Sequence, residues 1–303
     1  MLITILRRGL EIGMKSNCGK IQQLAFIGFG EAAMAFVSGW GERRPRKVSA
    51  FDSDAGAAMR ARYVSHDVFG CETLQQALTG VDAVFCVVTA DQALSAAHAA
   101  ASGITAGTFW FDCNSCAPGT KRSAAEIIEK AGGRYVDVAI MAPVHPKRHH
   151  VPMLVSGPHA EEAVAALQSL DMRPEIAGSE VGQASSIKMI RSVMVKGLEA
   201  LTAECFLAAQ RAGVRESVIA SLEASDPALE WRRRGTYNLE RMMVHGMRRA
   251  AEMREVTLTL QELGISGAMS AATAQWQKEI GRLQADPGPA DLGARLQTVL
   301  DRT

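Results

Sequence analysis

Lys188 is the residue of this sequence best placed to move a proton. It lies near the start of SSIKMIRSVMVKGLEAL (185–201), whose periodicity predicts a helix. Lys188, Arg191, Ser192 and Glu199 fall in one stripe of that helix. Ile187, Met189, Ile190, Val193, Met194, Leu198 and Leu201 cover most of the rest. So apolar a helix is expected to be buried on several sides, and its polar stripe must then face water, a partner charge or a cleft. Burial and a neighbouring cation both pull a lysine towards neutrality, where it can serve as a general acid or base. Arg191 is the expected neighbouring cation and a candidate grip for an anionic substrate. Lys196, two turns on, reads as a solvent or interface residue.

A second constellation lies near the N-terminus. LAFIGFGEAAMAF (24–36) reads as strand, tight turn and helix, with Gly28, Gly30 and Ala33 in a G-x-G-x-x-A pattern. Gly28 permits the turn, Gly30 admits a pyrophosphate to the backbone, and Ala33 lets helix and strand pack closely. Phe29, Glu31 and Ala32 complete the loop, whose free N–H groups would face phosphates. Asp52 ends the next strand 24 positions after Gly28, where a carboxylate can accept from ribose hydroxyls. Asp52 and Asp54 repel a 2′-phosphate and Ser53 brings no cation, which favours NAD. Arg43, Arg44, Arg46 and Lys47 just upstream keep NADP open.

The elements that must position these residues follow from the pattern. Apolar runs at 24–30, 48–52, 83–88, 108–112, 134–139 and 152–157 alternate with helical segments at 31–40, 55–62, 74–78, 92–101 and 121–131. Such runs, apolar on both faces, predict a doubly wound α/β domain with a parallel sheet covered on both sides. After about residue 180 the pattern is helical: 185–212, 216–224, 228–234 and 237–263, with Gly264 and Gly267 ending the last. The expected division is an extension over 1–20, a Rossmann-type domain over 21–184 and an all-α domain over 185–303. Met14 is an alternative start to Met1.

With the lysine helix added, the chain resembles the β-hydroxyacid dehydrogenase family, which includes 3-hydroxyisobutyrate dehydrogenase and, more distantly, 6-phosphogluconate dehydrogenase. Four segments carry the resemblance. FIGFGEAAM is the cofactor loop, and CVVTA (86–90), with Val87, Val88 and Thr89, matches the strand end that passes the nicotinamide ribose. FDCNSCAPG (111–119) stands in place of the substrate loop and offers Asn114 and Ser115. GQASSIK (182–188) matches G-x-G-x-x-x-K with Ala184 for the second glycine. The resemblance implies Lys188 as catalytic acid/base, an active site between the two domains and a homodimer through the C-terminal helices. There are departures. Arg191 and Ser192 replace the family's asparagines, and Met141-Ala142-Pro143 replaces its Ser-Gly-Gly. The family's late-helix Lys-Asp aligns roughly with Ala251-Glu252. Substrate contacts are therefore expected from Asn114, Ser115, Met141, Arg191 and Ser192.

Two clusters suggest other chemistry. Cys113-x-x-Cys116 has no second Cys or His pair at matching spacing, so it is read as lining the substrate loop. HPKRHH (145–150) reads as a solvated loop that for a metal site lacks a supporting carboxylate, and no metal is expected. His245, Arg248 and Arg249 lie on the long helix, and WRRRG (231–235) reads as a solvated helix end.

The whole chain excludes several classes. A net charge of +1 implies no broad attraction to nucleic acid or acidic membrane, and no apolar run is long enough to span a bilayer. Six irregularly spaced cysteines make no disulfide framework, which leaves a cytoplasmic protein as the expectation. The reading is an NAD(P)-dependent oxidoreductase interconverting a small β-hydroxy acid, or a sugar-acid derivative, and its keto acid. Its partner is a small anionic substrate. The alternatives are a non-catalytic cofactor-binding sensor and an imine reductase, against which Lys188 argues.

Overall fold

The computed structural model describes residues 20–303. All but the last residue of the expected extension, and the choice between Met1 and Met14, lie outside the described residues. Among the described residues eight strands form one sheet: β1 (Gln23–Ile27), β2 (Lys47–Phe51), β3 (Phe69–Gly70), β4 (Ala83–Cys86), β5 (Phe109–Asp112), β6 (Arg134–Ile140), β7 (Pro152–Ser156) and β8 (Arg173–Gly178). Their order is β3-β2-β1-β4-β5-β6-β7-β8. Six of the seven pairings are parallel; β7 runs antiparallel to β6, so the sheet is not wholly parallel as expected. The winding reverses between β1 and β4, and ligands bind at such a crevice in open α/β sheets.

Residues alternate between the two faces of the sheet. Leu24 and Phe26 join one core with Phe36, Trp40, Phe85 and Phe111. Ala25 and Ile27 join the other with Val84, Trp110, Ile128 and Tyr135. Both faces are apolar because helices cover both. These helices are α1 (Glu31–Gly39), α2 (Ala57–Ser65), α3 (Leu74–Leu78), α4 (Ala93–Ala100), α5 (Pro118–Lys130) and α6 (Ala160–Ser169).

The chain beyond β8 is helical: α7 (Gln183–Arg211), α8 (Arg215–Ser225), α9 (Trp231–Glu262), α10 (Ala268–Arg282) and α11 (Leu292–Leu300). They share a core of Phe206, Ile219, Leu239, Met242, Ile280 and Leu296. The break expected near Gly235 is absent, and α9 runs straight through. A Cβ there would stand 2.4 Å from the Phe206 ring, so this glycine serves packing. Strand β8 and helix α10 escape the sequence pattern for physical reasons. The edge strand β8 tolerates Pro174 and leaves Ile176 exposed. The inward face of α10 carries Ser270, Thr273 and Gln277, which hides its apolar period.

Helices α9 and α10 cross at two glycines. A Cβ on Gly246 would lie 2.3 Å from the Gln277 carbonyl oxygen, and one on Gly281 2.6 Å from the Met247 nitrogen. Neither obstacle is a flexible side-chain end. Gly281→Ala is therefore expected to force the helices apart and cost about 1–3 kcal/mol. Denaturant unfolding against the unsubstituted chain checks this, and an unchanged midpoint would refute the close-packing account.

Candidate active site

The cofactor loop joins β1 to α1. Gly28 has φ +85°, and a Cβ there would meet the Val87 carbonyl oxygen at 2.9 Å. Its N–H donates to the Phe51 carbonyl at 2.9 Å, which ties the turn to β2. Gly30 precedes α1 in extended backbone, and no atom lies within 4 Å of where its Cβ would be. That space and the open N-terminus of α1 suit a pyrophosphate. Phe29 buries its ring fully, so only its backbone faces the loop; its N–H donates to Asp52 at 2.7 Å. The other Asp52 oxygen accepts from the Asp54 N–H at 2.9 Å. Asp52 thus shapes the turn and stays partly exposed at its rim. Ala33 is buried, while Glu31, Ser53 and Thr89 are exposed and Ala32, Val87 and Val88 partly so. Arg44 is committed to the His66 and Asp67 carbonyls.

The end of β5 is held by a buried ion network. Lys121 is fully buried, and its Nζ donates to the Asp112 carbonyl at 2.6 Å and to Asp112 Oδ1 at 3.0 Å. It also lies 3.4 Å from Asp137 Oδ1. Burial alone would lower its pKa, but the two aspartates outweigh it and hold Lys121 above its ordinary value. The Tyr135 hydroxyl donates to Asp112 Oδ2 at 2.8 Å. Asp137 Oδ2 accepts from the backbone N–H groups of Gly182 and Ser185 at 3.1 and 3.0 Å and from the Ser185 hydroxyl at 3.0 Å. A carboxylate from the middle of β6 therefore caps α7, the helix that carries Lys188. Gly182, at φ +104°, has the conformation that this start requires.

Along α7 the polar stripe turns inward and meets α9. Ser192 donates to the Lys188 carbonyl at 2.9 Å and accepts from Lys196 Nζ at 3.1 Å. Lys196 pairs with Glu252 at 3.0 Å. Lys196 is therefore buried in the site, contrary to the solvent or interface role expected of it. Lys188 is partly buried, and its pKa is drawn down to about 8. Burial is the main cause; Glu252 opposes it, and Lys196 and Lys121 add to it. The neighbouring cations are thus Lys196 and Lys121, where Arg191 had been expected. Glu252 is held down at about 2 because Lys196, Lys188 and Arg248 outweigh its own burial.

Arg191 lies on the opposite, exposed side of α7, together with Ile187, Ile190, Met194 and Leu201. The expectation that this helix buries its apolar surface is therefore only half met. Glu199 takes two 2.7 Å bonds from Arg249 and one of 2.9 Å from Gln277, so it is not a partner for Arg191. Asn114 is buried, and its amide donates to Asp112 at 2.7 Å while Oδ1 has no hydrogen-bond partner. Ser115 and Met141 are partly buried. Cys113 and Cys116 are free thiols whose pKa values burial raises, and they are inert at neutral pH.

Helix α9 forms the far wall. Arg248 reaches Glu31 of the cofactor loop at 3.3 Å. One turn on stands Glu252; then Glu255 accepts from the Ala117 N–H at 2.8 Å and Glu262 from the Gly119 N–H at 3.1 Å. Lys121, Lys196, Glu252 and Glu255 were not read as site residues. Only Glu252 left a trace, in its rough alignment with the family's late-helix aspartate. The others become visible only when remote segments meet.

The fold and the site define a dinucleotide-binding protein with a lysine-bearing helical half. Residues 23–170 match the NAD binding domain of 6-phosphogluconate dehydrogenase. Residues 209–280 match a domain of unknown function, DUF1932. A conserved hypothetical protein from Sinorhizobium meliloti 1021 is 34% identical, with 94% of this chain and 98% of that one covered and a TM-score of 0.70. The conserved protein MTH1747, described as structurally similar to 3-hydroxyacid dehydrogenases, is 31% identical over 86% and 98% of the chains, TM-score 0.65. A 3-hydroxyisobutyrate dehydrogenase from Mycobacterium tuberculosis shares the fold at 13% identity over 92% and 99%, TM-score 0.68. An uncharacterized 28.5 kDa protein of Methanothermus fervidus is 31% identical over 117 residues, 39% of this chain; the match spans less than half, 44%, of that curated relative. The chain belongs with these 34% and 31% identical proteins to the 6-phosphogluconate dehydrogenase-like superfamily and carries its NAD(P)-binding domain; with 3-hydroxyisobutyrate dehydrogenases it shares the fold. Among the described residues no helix is long and apolar enough to cross a membrane.

Replacing Lys121 would leave Asp112 and Asp137 facing each other without their cation. Lys121→Met is expected to cost about 3–5 kcal/mol of stability, the range for breaking a buried ion pair. Denaturant titration reads this directly, and a loss within experimental error of zero would remove the network from its structural role.

Proposed function

We propose that the protein is an NAD(P)-dependent oxidoreductase that interconverts a small β-hydroxy acid, or a sugar-acid derivative, and its keto acid. The observation that carries this is Lys188, on a helix capped by Asp137 of the sheet and drawn down to about 8 near Lys196 and Glu252. When bound, the nicotinamide supplies the hydride acceptor or donor. Neutral Lys188 takes the hydroxyl proton during oxidation, and charged Lys188 returns it during reduction. A pKa near 8 leaves both forms available at neutral pH. Lys196 and Glu252 position it. Glu252 stays ionised and balances one of the two lysines.

Gly28, Gly30 and the N-terminus of α1 hold the pyrophosphate, and Asp52 meets the adenosine ribose. The acidic Asp52–Asp54 edge and the commitment of Arg44 favour NAD over NADP. Asn114 Oδ1, Ser115 and Met141 line the substrate side. Arg191, on the outer side of α7, is left out of this substrate site. The Ser192 hydroxyl is already engaged within the helix, which leaves it one acceptor site. The apolar row of Ile187, Ile190, Met194 and Leu201 on α7, with Val244 and Met247 exposed on α9, fits a homodimer through the C-terminal helices. A cytoplasmic location suits such an enzyme.

Three measurements test this reading. Lys188→Ala should lower kcat by about 10²–10⁴-fold, while its NADH affinity, read by energy transfer from tryptophan, stays within about twofold. A sensor without catalysis would bind cofactor and turn over no hydroxy acid, with or without Lys188. In the unsubstituted enzyme kcat/KM for oxidation should climb with pH to a plateau above about 8, whereas that for reduction should fall over the same range. A flat profile would take the proton away from Lys188. Met194→Glu should shift the sedimenting species from dimer to monomer, and a monomeric unsubstituted chain would end the dimer proposal.

A further inference from the structure

The histidine pair of HPKRHH acquires in the fold the carboxylate that its own neighbourhood lacks. His149 and His150 lie in a single 3-10 turn (Arg148–His150) between β6 and β7. Asp171 lies in the turn between α6 and β8, at φ +57°. Asp171 Oδ2 is 3.6 Å from His149 Nε2 and 2.8 Å from His150 Nε2. One ligand atom from each of the three residues falls within 4.8 Å of the others. We propose that His149, His150 and Asp171 form a binding site for a divalent transition ion of the zinc type.

The donor set is the first reason. Two imidazoles and a carboxylate make three borderline donors, as in zinc sites that keep a fourth position open. The spacing is the second. A tetrahedral zinc holds its ligand atoms roughly 3.3 Å apart. The two nitrogen–oxygen separations bracket that value, so small side-chain rotations suffice. The setting is the third. His149 is buried against α1, where a Cβ on Gly39 would stand 2.1 Å from its Nδ1. The absent side chain leaves room for the ring, and packing fixes it with Nε2 towards Asp171. Arg173 Nη1 donates to Asp171 Oδ1 at 2.8 Å and leaves Oδ2 to the histidines. A ligating carboxylate is commonly oriented by such a second partner. His150 and Asp171 are partly exposed, which gives the ion a path in and leaves room for water as a fourth ligand.

Calorimetric titration of the metal-free full chain with zinc chloride tests the site. One saturable equivalent is expected for the unsubstituted chain. His150→Ala and Asp171→Asn, both at half-exposed positions, should each weaken it by about tenfold or more, with unchanged circular dichroism. Cobalt should give a visible ligand-field band without thiolate charge transfer. No saturable uptake would overturn the proposal. Uptake that both variants retain at full affinity would also overturn it, and would place the ion on thiols instead.

Discussion

Asp137 accepting the first N–H groups of α7, with Lys121 bound between it and Asp112, is the contact on which the rest of the site depends. It joins the end of β5, the middle of β6, the first turn of α5 and the start of α7. A helix N-terminus carries unpaired donors and a partial positive charge, so a buried carboxylate is well placed there. Two such carboxylates could not share a dry interior without a cation, and Lys121 supplies it. The direction of α7 is thereby set by a sheet residue in the other half of the chain. Lys188, six residues further on, inherits that direction.

The same constraint explains why α7 turns its polar row inward. Once its N-terminus is fixed, one face must lie against α9 and α10. On that face Ser192, Lys196 and Glu199 meet Glu252, Arg249 and Gln277, so every buried charge there has a partner. The apolar row is left outside. Lys188 lies at the end of the polar row, near two other lysines and one carboxylate. Lys188 and Lys196 share the single Glu252 carboxylate, a local excess of positive charge. Together with burial, it makes the neutral amine accessible near physiological pH. The property on which the proposed chemistry rests thus comes from packing along α7 and α9.

Much of this could be read from the sequence where one segment carries the whole signal. The strand–turn–helix around Gly28 and Gly30 is local, and so are the alternating runs that build β1, β4 and β5. The spacing from Gly182 to Lys188 is local as well. What could not be read was whatever required two distant segments. Lys121 reads as an ordinary lysine at the start of an amphipathic helix until Asp112 and Asp137 converge on it. Glu252 and Lys196 lie on different helices. Helix α10 hides its inward face behind Ser270, Thr273 and Gln277, buried polar side chains that interrupt the apolar period, of which Gln277 reaches Glu199. Gly235 reads as a break because sequence shows its flexibility but not the Phe206 ring packed against it.

The two halves of the chain do more than enclose a cleft, since each completes structure in the other. Helix α5 opens with Ala117, Pro118 and Gly119, and no local side chain caps it. Its first donors go instead to Glu255 and Glu262 of α9. In return Asp137 of the sheet domain caps α7. An exchange of caps in both directions differs from a surface ion pair such as Arg248–Glu31. Water can replace a partly exposed pair at little cost. Separating the Asp137 and Glu255 caps would leave helix donors and buried or part-buried carboxylates unpaired on both sides, at roughly 1–3 kcal/mol for each unsatisfied group. Helix α9, which carries Glu252, is therefore fastened to the sheet domain at α5, and α7, which carries Lys188, is fastened to it at Asp137.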